Sequence, residues 1–327
     1  MTHILELIHA FRRSKVLFTA VRLGIFDRLE AAPQTAQQLA NDGRLNLGAL
    51  TRLLDACLPL GLLTRDGDLY RNALEASRAL VTDSPDSLVG YILHSDRSLY
   101  PLWGRLEDAV REGTNRWAQV FGDRASLFDH YFRDPASMRS FLTGMHGAGQ
   151  LTSDRVVRAF DLSKYKHLVD LGGATGHLAI AACHAYPNLC ATVLDLPSVE
   201  PYTREFIARS GLSDRVGFLA ADFFRDDLPS ADLYSLGRIL HDWDNTRIQT
   251  LLSKIQSDLV ITETLIDEDH SGPLYAMLQD LNMLVCTDGK ERTATEYEQL
   301  LQAAGFARFE LHRTGSLVDG ILAHRGG

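Results

Sequence analysis

HLVDLGGATGHLAIAA, residues 167–182, is an apolar strand-like run, a glycine break and then an apolar pattern with helical spacing. A strand that feeds a glycine turn and a helix start is a common cradle for a nucleotide-like cofactor. Glycine lets backbone approach a ligand closely, and the first turn of a helix offers N–H groups that have no partner within the helix. From residue 167 onward strand and helix patterns alternate, the sequence sign of a doubly wound, mostly parallel α/β sheet. Ligands of such a sheet sit beyond the carboxyl ends of its strands, so the polar residues that close each apolar run are the ones to read.

Those residues form a set. HLVDLGG closes on Asp170 and Gly172, ATVLDLP on Asp195, VGFLAADFF on Asp222, ADLYSLGRILHDW on Arg238 and His241, and DLVITET on Glu263. One acid after a strand is often a helix cap, whereas this many ionisable groups along one sheet edge imply a site. A dinucleotide fingerprint needs three glycines, but the corresponding positions hold Gly172, Ala174 and His177, which weakens a nicotinamide cofactor. Asp195, 23 residues past Gly172, is placed to accept both hydroxyls of any adenosine ribose. Asp222 followed by Phe223 suits an adenine, with a carboxylate for the exocyclic amine and an apolar face for the ring. Gly172, Asp195 and Asp222 together describe S-adenosylmethionine better than NAD.

The 327 residues exceed most single cores, so two domains are expected. Upstream of the sheet, SKVLFTAVRLGIFDRL, TAQQLAN and NLGALTRLLDACLPLGLL read as helices, and LLTRDGDLYRN as a hairpin turning at Asp66-Gly67. Three helices and a hairpin are the order of a winged helix, and a DNA-binding regulator is therefore a rival reading. Charge opposes it: the net charge is -9, residues 1–90 carry ten basic and ten acidic side chains, and the would-be recognition helix offers Arg52 against Asp55. A winged helix used for protein contacts is the expectation, with no nucleic acid as partner. No apolar run approaches the roughly 20 residues that span a bilayer, and the start MTHILELIHAFRRSK lacks the features of a signal peptide, so a cytosolic protein without membrane contact is expected. Cys57, Cys183, Cys190 and Cys286 show no CxxC pairing and lie in apolar stretches, which predicts buried reduced thiols and no metal site. Residues 96–160 read as aromatic-rich helices, and Phe128, Tyr131, Met145, Met277 and Met283 suggest a flat apolar pocket.

The chain resembles the small-molecule S-adenosylmethionine-dependent O-methyltransferases, and within them the acetylserotonin O-methyltransferase branch. AVREGTN, RAFDLS, VDLGG, DFFRDDLPSADLY, RILHDW, TLIDED, LNMLV, GKERT, AAGF and DGILAHR carry the resemblance in family order along nearly the whole chain. It implies a Rossmann-like class I methyltransferase domain over residues 156–327, and over residues 1–155 a mostly helical winged-helix dimerisation domain. It also implies a homodimer whose first helix buries Ile4, Leu5, Leu7 and Ile8 against the partner. His241, directly after the fourth strand, is the expected general base, since imidazole titrates near neutrality and a phenol must lose its proton during attack. Glu263 and Glu291 are its expected orienting carboxylates, Glu291 having a loop salt bridge with Arg292 as its alternative. Arg238 is expected to line the cofactor, with Asp242, Asn282, Met145 and Phe128 at a small aromatic substrate.

Three departures stand out against the family pattern. Ala174 replaces a glycine of the loop and is expected to loosen cofactor binding. Cys286 stands where relatives tend to have a polar amide, and the connection in LLSKIQSDLVITET is short. They question acetylserotonin as the substrate and leave a dimeric scaffold without strong activity as the alternative to an enzyme.

Overall fold

The computed structural model describes residues 2–122, 131–132 and 134–326. By compactness the chain divides into Met1–Tyr100 with Thr143–Gly147, and Pro101–Leu142 with Ala148–Gly327.

In the first unit, helices α1 (Thr2–Arg22), α2 (Ile25–Ala31), α3 (Ala36–Gly43) and α4 (Leu47–Cys57) precede the hairpin of β2 (Leu63–Asp66) and β3 (Leu69–Asn72). The helices start where the sequence supplies caps: Thr35 and Gln38 form a reciprocal capping box on α3, and Asn46 accepts the Ala49 N–H on α4. A short strand β1 (Gln34–Thr35) pairs with β3, completing a three-stranded wing in the order β1-β3-β2. Ile25, Phe26, Leu39, Leu54 and Cys57 fill the core of this winged helix. Asp55 accepts from Tyr70 Oη at 2.7 Å and pairs with Arg65 at 3.2 Å, so the acid of α4 ties that helix to the wing. Helix α1 is packed toward its C-terminal end, where Val16, Leu17, Phe18, Ala20 and Val21 meet the core. Ile4, Leu5, Leu7, Ile8 and Phe11 are between 51% and 59% exposed.

The second unit holds a seven-stranded sheet in the order β11-β12-β8-β7-β4-β5-β6. Its strands are β4 (His167–Leu171), β5 (Cys190–Asp195), β6 (Val216–Ala220), β7 (Leu233–Gly237), β8 (Asp258–Glu263), β11 (Phe306–His312) and β12 (Asp319–Arg325), while the short β9 (Leu265–Ile266) and β10 (Arg292–Thr293) form a separate parallel pair. The first five are parallel, and β12 and β11 close one edge antiparallel. Side chains alternate between two cores: Leu168 and Val193 face the core of Val156, Leu178 and Ala182, while Val169 and Leu194 face that of Ile248, Leu252 and Leu301. The chain leaves β4 toward β5 and leaves β7 toward β8. The loops after β4 and β7 therefore part in opposite directions, which is the topological switch point where α/β sheets take ligands.

The compact division differs from the boundary expected at residue 155, and hydrogen bonds explain the difference. The helix Leu274–Cys286 accepts Arg116 N–H at the Val285 carbonyl (3.0 Å), Trp117 Nε1–H at the Cys286 carbonyl (2.6 Å) and Trp103 Nε1–H at Asn282 Oδ1 (2.9 Å). Residues 101–122 are thereby docked on the sheet domain by partners far away in sequence. Three of the four thiols are buried as expected, but Cys190, which begins β5, is exposed, and all four are unpaired. The short connection after the helix Asn245–Lys254 closes on the Ile255 N–H to Leu252 carbonyl bond (3.2 Å), with Ile255 fully buried. Among the described residues no helix is long and apolar enough to cross a membrane.

Candidate active site

After β7 the chain turns through Arg238, at φ +56°, into a single 3₁₀ turn, Leu240–Asp242. Its middle residue, His241, is 5% exposed and meets two carboxylates. Nδ1 lies 2.8 Å from Glu291 Oε1 and 3.3 Å from Glu263 Oε2, and both glutamates are 1% exposed. The shorter contact assigns the Nδ1 proton to the bond with Glu291, which leaves Nε2 free to accept a proton. Glu263 also fixes the turn that carries the histidine, because its Oε1 accepts the backbone N–H groups of Ile239 (3.0 Å) and Leu240 (2.8 Å). Burial opposes a charged His241, yet the charges of Glu263, Glu291 and Asp242 outweigh it and push the imidazole up to about 10. Burial pushes Glu263 up to about 7 against the pull of His241. Burial likewise raises Asp242, whose Oδ1 is 3.8 Å from His241 Nε2, against the pull of His241 and Arg238. The donor atoms of His241, Glu263 and Glu291, the base and the two carboxylates expected beside it, lie within 4.8 Å of one another, close enough to hold a metal ion as well.

The alternative reading of Glu291, a loop salt bridge with Arg292, is not what the structure shows. Arg292 donates instead to the carbonyls of Leu240, Lys290 and Trp243 and to Asn245 Oδ1, while Glu291 turns to His241 and gives its backbone N–H to Asp280.

On the other side of the switch point is the glycine loop. Gly172, Ala174 and Gly176 all have positive φ, +65°, +48° and +78°, so alternate residues take a conformation that suits glycine and strains alanine. A Cβ at Gly172 would come within 2.6 Å of Ile239 Cδ1 and 3.2 Å of Phe223 Cε1, which places the loop against both Phe223 and the start of the His241 turn. Asp195 accepts the N–H of Ala174 (2.8 Å) and of Leu196 (2.7 Å), and burial pushes its carboxyl up to about 6 despite those bonds. The Asp195 carbonyl accepts from Ala221 (3.0 Å), which brings the ends of β5 and β6 together just before Asp222. Asp222 accepts the Phe224 N–H (2.9 Å), and its side chain remains 32% exposed. The methyl group of Ala174 packs with Met138, Leu142 and Val199, a cluster of side chains from neighbouring helices. Arg238 is held by its N–H to the Thr262 carbonyl (2.9 Å).

Of the expected substrate residues, Asn282 is half-buried, with Oδ1 taken by Trp103, a partner that the sequence pattern left unassigned. Met145 is half-buried and belongs to the first unit, and Phe128 lies outside the described residues. Trp103 carried no signal beyond being one aromatic among several, and Arg292 none beyond its place next to Glu291.

The chain matches known proteins along nearly its whole length. A family description of the O-methyltransferase domain matches residues 103–307, and one of the O-methyltransferase dimerisation domain matches residues 5–83. The chain is 38% identical to the acetylserotonin O-methyltransferase of Gallus gallus, over 98% of this chain and 96% of that protein. It is 40% identical to a Homo sapiens protein named a probable bifunctional dTTP/UTP pyrophosphatase/methyltransferase, over 98% of this chain but only 53% of that protein. Among solved structures, human N-acetylserotonin methyltransferase in complex with SAM matches with a TM-score of 0.93 and 37% identity, covering 100% of this chain and 97% of that one.

Proposed function

The chain belongs to the O-methyltransferase family and is an S-adenosylmethionine-dependent enzyme; from that premise we propose that it methylates the hydroxyl of a small flat aromatic molecule, a phenol or a hydroxyindole, with His241 as general base. One observation carries the reading: the buried imidazole has Nδ1 held by Glu291 at 2.8 Å, which leaves Nε2 to receive a proton. The cofactor, when bound, supplies a methyl group on a sulfonium, open to in-line displacement by an oxygen nucleophile. The residues at the switch point fit it. The glycine loop brings bare backbone to the end of β4, Asp195 at the end of β5 and Asp222 just after β6 offer acceptors for ribose and adenine, and Phe223 offers an apolar face.

The base must take a proton whose ordinary pKa is near 10. An imidazole pushed up to about 10 by its carboxylates matches that donor, so transfer to Nε2 costs little once the neutral form is present. Glu291 stabilises the imidazolium that results, and Glu263 keeps the turn in place. Asn282 supports a substrate with a hydrogen-bond acceptor. An indole N–H such as that of Trp103 can only donate, so Asn282 Oδ1 is consumed and its amide nitrogen remains as donor. The helical region to about residue 155 serves dimerisation in this reading, and the exposed Ile4, Leu5, Leu7 and Ile8 of α1 are buried against a second copy.

The test is methyl transfer over a panel of phenols and hydroxyindoles, followed by release of S-adenosylhomocysteine, with light scattering on the same preparation. A dimer that turns over at least one panel member is expected. Tight cofactor binding with no turnover of any member would move the protein to the scaffold reading.

A further inference from the structure

We infer that Arg292, with Gly289 beside it, is a positioning residue that holds the His241 turn by its carbonyl groups, as Glu263 holds it by its N–H groups. The inference rests on His241 being the base. The turn has little support of its own: its internal bonds, Asp242 N–H to the Ile239 carbonyl and Trp243 N–H to the Leu240 carbonyl, are long at 3.2 and 3.3 Å, and Arg238 enters it at positive φ. Arg292 is 1% exposed, and the four oxygens to which its guanidinium donates are three carbonyls and an amide oxygen, none of them a carboxylate. A buried guanidinium is costly unless its donors are satisfied, so the groups it meets matter. Nη1 donates to the carbonyls of Leu240 (3.3 Å) and Lys290 (2.9 Å), and Nη2 to the Trp243 carbonyl (3.0 Å) and Asn245 Oδ1 (2.9 Å). The rigid fork thus spans the turn from the residue before His241 to the second residue after it. Gly289 lets the strap that carries Glu291 and Arg292 lie this close, because a Cβ there would strike the His241 carbonyl and stand 2.5 Å from Trp243 N. The same strap therefore delivers Glu291 to Nδ1 and Arg292 to the turn, and sets their separation in one piece.

Charge gives the readout. The charges that act on the imidazole are those of Glu263 from β8, Glu291 from the strap and Asp242 from its own loop; around them stand Arg238, which acts on Asp242, Arg292, and the buried Tyr297, which faces Glu263, Glu291 and Arg292. Removing the Arg292 charge leaves the carboxylates less opposed and favours the imidazolium.

The experiment compares wild type, Arg292→Lys, Arg292→Met and His241→Gln in the full chain, reading cofactor affinity by calorimetry and kcat/KM against pH on a substrate found in the panel. Arg292→Lys keeps the charge but cannot bond both turn carbonyls in the same fork. It is expected to lose on the order of 10- to 100-fold in kcat, the scale of a slightly misplaced base, with cofactor affinity and the ascending pH limb unchanged. Arg292→Met is expected to lose at least as much and also to move the limb to higher pH. Wild-type kcat in Arg292→Lys overturns the inference, and so does an unmoved limb in a folded Arg292→Met; if the Met variant does not fold, the Lys variant decides alone. Retention of the limb in His241→Gln would instead overturn the reading of His241 as base, so the two failures are distinguishable.

Discussion

The loops after β7 and β4 face each other across the switch point and are built in opposite ways. The His241 turn is held by side chains brought from elsewhere: Glu263 from the neighbouring strand, and Glu291, 50 residues away, from the strap that also carries Arg292. The glycine loop is held through its backbone, with Asp195 of the adjacent strand on the Ala174 N–H, the Leu194 carbonyl on the Gly172 N–H and the Thr203 hydroxyl on the Ala174 carbonyl. A base needs a fixed proton affinity and one fixed orientation, which only distant charged partners in a dry place supply. A cofactor cradle needs backbone at the right depth, which a local loop supplies. The difference predicts where damage shows: in turnover on one side, in affinity on the other.

The largest effect is expected at the centre of the first region. His241→Ala should lower kcat by about 10² to 10⁴ while calorimetry shows unchanged cofactor affinity. Equal loss of both would mean that the turn supports the cradle, and the contrast between the regions would fail.

Glu291→Gln sharpens the same side, with an expected loss of about 10² or more in kcat and a displaced pH profile. The sign follows from the carboxylates, whose charge holds the His241 imidazolium together up to about pH 10. Below that pH the base is mostly protonated and inactive, so kcat/KM of the wild type should rise through the neutral and alkaline range. Removing the Glu291 charge lowers the affinity of His241 for its proton and moves the rising limb to lower pH. A limb that stays in place would mean that Glu291 orients the ring without tuning it.

On the other side, Asp195→Ala removes an acceptor of charge-assisted bonds and also releases the Ala174 N–H. Cofactor binding should weaken by about 1.5 to 3 kcal/mol, with kcat at saturation little changed. A loss confined to kcat would reverse the assignment of the two regions.

The same contrast explains what could be read from the sequence. The sheet, the glycine loop and the acids at Asp195 and Asp222 were legible because each lies at the end of its own apolar run, so local pattern gives position. His241 and Glu263 were visible for the same reason. Glu291 was visible only through its resemblance to GKERT, since nothing local says that a carboxylate between two basic residues is buried against a histidine. The true partners of Arg292, the seating of residues 101–122 on the helix Leu274–Cys286 and the hold of Trp103 on Asn282 depend on contacts over long separations, for which hydrophobic periodicity carries no signal. Cys190 was misjudged because it is the first residue of β5, where an apolar strand emerges into solvent.

The smallest effect is expected at Ala174, where the structure changes what the sequence suggested. A methyl group in place of the loop glycine was expected to stand against the cofactor, so that Ala174→Gly would tighten binding. Instead the methyl packs with Met138, Leu142 and Val199, and the Ala174 N–H is already engaged by Asp195 at 2.8 Å. Two terms then oppose each other in stability. Relief of the left-handed backbone at φ +48° favours glycine by about 1 to 2 kcal/mol. The lost packing of one methyl, about 0.8 kcal/mol, and the greater freedom of glycine in the unfolded chain, about 0.4 to 1 kcal/mol, favour alanine. The thermal midpoint should therefore move little, and cofactor affinity by less than about threefold, because neither the acceptors nor the depth of the loop changes. Tightening of tenfold or more on calorimetry would show that the methyl crowds the cofactor after all, and that this loop, like the His241 turn, is tuned by a side chain.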